Sequence, residues 1–166
     1  MLVEVCKNDE ITPEFWLFND DFFILQTAGD DLPQFYNGTL QEQIERCELR
    51  EGGRTDYTER LRHLVKTLES AGLPTLNYSV HKPILVNRKK ALEVLEKFPS
   101  EPMFRALYGN YWRIGGVNRK DCKIRRCDRE LNPRLQFVST QDDSFKYGLV
   151  GMQLQERFNK PSRFER

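Results

Sequence analysis

Two short apolar runs, separated by three polar residues, constrain the fold of this chain more than any other feature. The first run is Phe-Trp-Leu-Phe at residues 15–18, and the second is Phe-Phe-Ile-Leu at residues 22–25. The first run is short and rich in aromatic side chains, so it is predicted to be a buried β-strand, and the second is a further apolar run after a turn or kink. The residues between them, Asn19, Asp20 and Asp21, are predicted to form a turn.

The rest of the sequence alternates helical and strand-like patterns. Helices are predicted at residues 40–49, 55–71 and 101–112, and two more run to Phe98 and Phe158 from N-caps at Asn87 and Ser144. Further strands are predicted at residues 77–80 and 135–139. Interleaved strands and helices predict an α/β or α+β fold, with residues 1–166 forming a single layered domain.

The charge balance limits the kinds of partner that the chain is expected to bind. Its 26 Lys and Arg residues and 25 Asp and Glu residues give a formal net charge of +1. A nearly neutral chain is a poor candidate for broad, phosphate-driven binding of nucleic acid. The exception is residues 113–134, with eight Lys or Arg and three Asp or Glu. This segment is either a solvated loop or a surface that faces phosphates.

No apolar run in the sequence approaches the roughly 20 residues that span a bilayer. The first residues, Met-Leu-Val-Glu-Val-Cys, lack the basic region and long apolar stretch of a signal peptide. We therefore expect a cytoplasmic protein without a membrane span.

Carboxylates follow two of the predicted strands. Asp20 and Asp21 come after the first, and Asp142 and Asp143 come after the strand at residues 135–139. Adjacent carboxylates cannot both enter an apolar core unpaired, so they must reach solvent, a cation or a basic side chain. The two acidic segments are candidates for one shared Mg²⁺ or Mn²⁺ site. The alternatives are an ordinary turn at the first position and a helix cap at the second.

Two basic positions are candidates for a role in catalysis or phosphate binding. His81 precedes Lys82 and Pro83, and the proline restricts the backbone of Lys82 to extended conformations. A histidine held in this way can act as a general acid or base, or it can simply bond a neighbouring carbonyl. Arg105 lies in an aromatic, apolar helix, where it can bind phosphate with two N–H groups or extend its stem over the core.

Taken in order, these segments resemble the characteristic blocks of the Stealth family, which includes capsular polysaccharide hexose-1-phosphate transferases and a GlcNAc-1-phosphotransferase. The end of one block resembles Phe-Trp-Leu-Phe-Asn-Asp-Asp-Phe-Phe at residues 15–23. The next resembles His-Lys-Pro at 81–83 with Phe-Arg at 104–105. The last resembles the strand and acidic turn at 137–143 and Pro-Ser-Arg-Phe-Glu at 161–165.

The resemblance implies a partial nucleotide-sugar-transferase fold and roles for the acidic residues. Asp20 and Asp21 would hold the cation and the donor diphosphate. Asp142, or its neighbour Asp143, would complete the acidic site. The family has Asn-Asp where this chain has Gln141-Asp142, so Asp142 is the better match.

The resemblance also implies catalytic and substrate-binding residues. His81 is the expected acid/base, Asp21 and Arg105 join it as catalytic candidates, and Arg105 would bind phosphate. Asn19, Lys82 and Asn110 are the further expected substrate-binding residues. Asn110 lies in Leu-Tyr-Gly-Asn-Tyr at 107–111, which looks like a segment of phage-encoded members of the family.

These features predict an enzyme that transfers a sugar or sugar-1-phosphate from a nucleotide-sugar donor to a glycan or another hydroxyl acceptor. The family's first block and most of its second lie upstream of the acidic turn, whereas only 18 residues precede Asn19 here. The expectation is therefore a fragment, a half completed by a protein partner or oligomer, or a shortened member, possibly phage-encoded. The alternative function is a non-catalytic binding or interaction protein on a degenerate transferase scaffold.

Overall fold

The protein combines helices with small sheets, which confirms the predicted α/β or α+β class. The computed structural model describes residues 2–29 and 31–160. The elements in chain order are α1 (Leu2–Lys7), β1 (Glu14–Leu17), β2 (Phe22–Ile24), β3 (Phe35–Tyr36), α2 (Leu40–Glu51), α3 (Asp56–Ser70), β4 (Ile84–Asn87), α4 (Arg88–Lys97), α5 (Phe104–Tyr111), β5 (Val117–Asn118), β6 (Lys123–Ile124), β7 (Phe137–Thr140), α6 (Asp142–Tyr147) and α7 (Leu149–Arg157).

The internal contacts divide the chain into two compact units. The first unit comprises Met1–Phe18 and Pro33–Asp121, and the second comprises Asn19–Leu32 and Cys122–Arg166. The prediction of one domain over residues 1–166 stays a prediction. Among the described residues, no helix is long and apolar enough to cross a membrane.

The helices of the first unit begin and end where their sequences provide caps. Thr39 and Glu42 form a reciprocal capping box at the start of α2, and Gly52 ends that helix in a left-handed conformation. Asn87 accepts a 3.2 Å hydrogen bond from the backbone of Lys90, which confirms its predicted role as the cap of α4. The buried faces of these helices join one core with β4, which pairs antiparallel with β1.

The predicted strand at residues 77–80 is wrong. Asn77 Oδ1 accepts a 3.0 Å bond from the backbone N–H of Ser79, so its side chain satisfies a group that a ladder would use. Tyr78 is fully buried and its hydroxyl donates to the carbonyl of Gly115 at 2.9 Å. Burial raises the pKa of Tyr78, which keeps the phenol protonated for this bond. The backbone of Asn77 also donates to the Gly38 carbonyl at 2.9 Å and accepts from the Asn37 N–H at 3.0 Å, but residues 77–80 form no strand.

Other boundaries also differ from the prediction. The helix predicted at 101–112 is shorter, and the predicted last helix is two helices, α6 and α7, separated at Gly148. Ser144 is not the N-cap of α6; that position belongs to Gln141, whose N–H donates to Ser144 Oγ. The apolar sequence after Pro83 forms the strand β4, and the first residues form α1, neither of which was predicted.

The second unit contains a three-stranded sheet in the order β2-β7-β6. The central strand β7 is buried along its whole length; it pairs antiparallel with β2 and parallel with β6. Val138 from this strand packs with Leu25, Val150 and Leu154 in a core that includes α7. The sheet therefore fixes where the ends of β2 and β7 lie.

The close contact between Gly109 and the Tyr78 ring allows the packing of the first unit to be tested by substitution. A Cβ built on Gly109 would lie 2.4 Å from Cδ2 of the Tyr78 ring, which is buried. Gly109→Ala would otherwise gain up to about 1 kcal/mol from helix propensity. We expect it instead to lower the free energy of unfolding by about 1–3 kcal/mol, because the added methyl overpacks the core.

The measurement is chemical denaturation, with Gly29→Ala as the control. Gly29 is exposed and its added Cβ would meet nothing within 4 Å. Stability of Gly109→Ala equal to or above that of the wild type would contradict the described packing.

Candidate functional site

The second unit brings the two predicted acidic segments to one pocket. Antiparallel pairing of β2 with β7 sets Phe22 opposite Ser139, so the start of β2 lies beside the end of β7. The backbone N–H of Thr140 donates to the carbonyl of Asp21 at 3.3 Å. The resulting pocket has a volume of about 260 Å³ and is lined by Asp20, Asp21, Phe23, Thr140, Asp142, Phe145 and Lys146. We call these seven residues the acidic pocket.

Asp21 is held in the acidic pocket by two side-chain hydrogen bonds. Its Oδ2 accepts hydrogen bonds from Lys123 Nζ at 2.6 Å and from Ser139 Oγ at 2.9 Å. Both charged side chains are largely buried, with exposed fractions of 24% for Asp21 and 20% for Lys123. Asp21 therefore has a cationic partner within the chain, and the bonds fix the position of its carboxylate.

Asp20 and Asp142 differ from Asp21 in being exposed. Asp142 lies in the first turn of α6, where its carboxylate is 3.8 Å from Lys146 Nζ. Exposed ion pairs of this length contribute little to stability. These two carboxylates can therefore exchange a lysine or water for a ligand at small cost.

The carboxylates of the acidic pocket could hold a divalent cation only together with water or substrate oxygens. Within residues 2–29 and 31–160, no three His, Cys, Asp or Glu side chains are grouped to hold a metal ion. Mg²⁺, however, keeps several waters and is often held by one or two carboxylates together with substrate phosphates. Asp20 and Asp142 fit that mode, whereas Asp21 would have to share its carboxylate with Lys123.

His81 belongs to the first unit and lies against a carboxylate there. Its ring Nδ1 lies 2.9 Å from Asp121 Oδ2 and 3.0 Å from Oδ1. The backbone N–H of His81 also donates to Asp121 Oδ1, at 3.0 Å. Both side chains are mostly buried, with exposed fractions of 17% and 23%. The ring therefore contacts a carboxylate.

The other predicted residues of the first unit make structural contacts. Arg105 donates from its guanidinium to the carbonyl of Lys82, and the Lys82 ammonium lies 5.3 Å from the centre of the Phe35 ring. Asn110 is buried, and its amide bonds the backbone of Leu76 and of Ala106 at 2.7–2.8 Å. These contacts account for the position of Asn110 without a substrate.

The structure thus assembles two groups of predicted residues, one in each unit. The second unit holds Asp20, Asp21 and Asp142 in one pocket, with Asn19 in the chain just ahead of it. The first unit holds His81, Lys82 and Arg105 on or against the segment at 81–83. The Pro-Ser-Arg-Phe-Glu segment at 161–165, on which part of the resemblance depends, lies outside the described residues.

Two residues of these groups were missed by the sequence analysis. Asp121 is 40 residues from His81, and Lys123 is 102 residues from Asp21. Both lie in the segment at 113–134 that was interpreted as a solvated loop or phosphate-facing surface. The charge count of this segment did not single out Asp121 or Lys123, because their partners are distant in the sequence.

Comparison of the chain with protein-family models, curated proteins and solved structures finds no match.

Asp21→Asn should test the pairing of Asp21 with Lys123 in the acidic pocket. The change removes the charge that faces Lys123 in a largely buried position. We expect the free energy of unfolding to fall by about 1.5–3 kcal/mol, the usual range for a hydrogen bond to a charged group. Asp20→Asn is the matched control, because its side chain is exposed and a surface change of this kind usually stays within about 0.5 kcal/mol. If chemical denaturation gave the same decrease in the free energy of unfolding for both variants, the described pairing of Asp21 with Lys123 would be contradicted.

Proposed function

We propose that this protein transfers a sugar or sugar-1-phosphate from a nucleotide-sugar to the hydroxyl of a glycan or another acceptor, in the cytoplasm, with the help of Mg²⁺ or Mn²⁺. The observation that carries the proposal is the convergence of Asp20, Asp21 and Asp142 on one pocket. The order of motifs that resemble the Stealth family adds support from the sequence.

The acidic pocket has the groups that a donor diphosphate with its cation requires. Asp20 and Asp142 would hold the ion, which would supply positive charge next to the leaving phosphate. Lys146 lies among the lining residues and can contact a phosphate oxygen when it leaves Asp142. Asp21, tied to Lys123 and Ser139, keeps the turn that carries Asp20 in a fixed position.

The acceptor hydroxyl must lose its proton as its oxygen attacks. In our proposal His81 takes that proton as general base. The acceptor oxygen forms a bond to the sugar carbon or to the phosphorus next to the sugar, and the bond to the leaving nucleotide breaks. Arg105 is predicted to bind phosphate and Lys82 to bind substrate; with Arg105 bonded to the Lys82 carbonyl, we assign Arg105 to holding the segment of His81 in place.

A second candidate function follows from the ion pair in the acidic pocket. Since Lys123 already faces Asp21, the pocket is electrostatically balanced there without a metal ion. This favours the alternative of a non-catalytic binding or interaction protein, with a protein partner or a second copy as its target. The two functions differ in one measurable respect, which is turnover of a nucleotide-sugar.

The experiment is a turnover assay of the purified chain with a panel of nucleotide-sugars, with Mg²⁺ or Mn²⁺ and with EDTA. We expect turnover that EDTA removes. Asp20→Ala should abolish it, and Asp142→Asn should lower kcat/KM by about 100-fold or more, as expected for the loss of a group that stabilises developing charge. Both variants should keep the wild-type circular dichroism.

Asp143→Asn is the matched control for Asp142→Asn. Both residues lie in the first turn of α6, so both changes remove the same kind of favourable helix-end charge. Only Asp142 lines the acidic pocket, so Asp143→Asn should retain turnover close to that of the wild type. Absence of turnover with every donor would support the non-catalytic alternative, and equal losses at 142 and 143 would exclude a specific role for Asp142.

A further inference from the structure

The segment at residues 77–83 is held by side chains at several points along its length. Asn77 Oδ1 accepts from the N–H of Ser79, Asp121 Oδ1 accepts from the N–H of His81, and Arg105 donates to the carbonyl of Lys82. The described structure forms no strand in this segment, and the backbone of Asn77 bonds that of Asn37 and Gly38 in addition. His81 therefore lies on backbone whose position depends on named side chains.

Asp121 binds His81 in two ways at once. The backbone N–H of His81 is always a donor, so its 3.0 Å bond to Asp121 Oδ1 forms whether or not the ring carries a charge. That bond keeps the carboxylate beside ring Nδ1, which lies 2.9 Å from Oδ2. The backbone contact thus places the acid, and the acid in turn places the ring.

The chemistry of the two partners decides which tautomer the ring adopts. An ionised carboxylate only accepts hydrogen bonds, so the nitrogen that faces it must carry a proton. In the neutral ring only one nitrogen is protonated, and here that nitrogen is Nδ1. Nε2 of the neutral ring then carries no proton.

We infer that Asp121 is a positioning residue that holds His81 in the Nδ1-protonated tautomer. The inference rests on the proposed function for its role in transfer. The tautomer itself is a property of the free protein and does not depend on any substrate.

The test is the ¹⁵N chemical shifts of the ring nitrogens of His81 in the full chain, recorded where the ring is neutral. The chain has two histidines, so a His63→Gln variant assigns the signals. We expect the shifts of a protonated Nδ1 and an unprotonated Nε2 in the wild-type protein. The opposite pattern, or an equal mixture of tautomers, would overturn the inference.

The variant Asp121→Asn then tests whether Asp121 determines the tautomer of His81. The amide oxygen of Asn can still accept from the backbone of His81, while its NH₂ group can only donate to ring Nδ1. We expect the ring to change to the Nε2-protonated tautomer in a folded protein. His63 is the internal control, because its Nδ1 faces Glu101 at 3.1 Å and its shifts should not change. An unchanged His81 tautomer in Asp121→Asn would overturn the inference.

Measuring nucleotide-sugar turnover of the wild type and of Asp121→Asn distinguishes a failure of this inference from a failure of the proposed function. If the protein is a transferase, Asp121→Asn should lower kcat by about 10⁴-fold, the loss expected when a catalytic histidine adopts the wrong tautomer, with little change in KM. A tautomer change together with unchanged turnover would overturn the catalytic role of this pair. Absence of turnover in the wild type, with the expected tautomers, would overturn the proposed function and leave the positioning of His81 by Asp121 established.

Discussion

The register of the β2-β7-β6 sheet is the constraint on which the acidic pocket depends. Ser139 of β7 lies opposite Phe22 of β2 on one side and opposite Lys123 of β6 on the other. Asp21, immediately before Phe22, therefore meets both Ser139 and Lys123. A slip of one residue would turn each side chain of a strand to the opposite face, and the ion pair could not form. The burial of β7 along its length opposes such a slip.

The pocket thus combines one fixed carboxylate with two accessible ones. Lys123 and Ser139 hold Asp21, whereas Asp20 and Asp142, which lie near the ends of the same strands, are exposed. Charge in a fixed, partly buried position stabilises the turn, while exposed charge is available for a ligand. In the first unit, a mostly buried contact with Asp121 likewise fixes His81. Nδ1 of the ring lies 2.9 Å from Asp121 Oδ2, and in our inference this contact determines which ring nitrogen carries the proton.

The sequence predicted the parts of the fold that depend on local signals. The acidic turn, the helices α2 and α3 and the cap at Asn87 each follow from neighbouring residues, and the structure contains all of them. The predicted strand at 77–80 is absent, and the contacts found there instead, such as the bond of Asn77 Oδ1 with the Ser79 N–H, are not revealed by the alternation of apolar residues. The convergence of the two acidic segments was predicted from their positions after strands. Lys123 and Asp121 were missed because their partners are distant in the sequence.

The measurement that tests the central claim most directly is the thermal stability of the purified chain with nucleotide-sugars, in Mg²⁺, Mn²⁺ or EDTA. A ligand present at 100 times its Kd stabilises the folded state by about 2.7 kcal/mol, which a melting curve resolves. The account predicts an increase in Tm with at least one donor that requires the divalent ion and is lost in Asp142→Asn. No increase with any donor, or an increase that EDTA and Asp142→Asn leave unchanged, would contradict the assignment of the acidic pocket as the donor site.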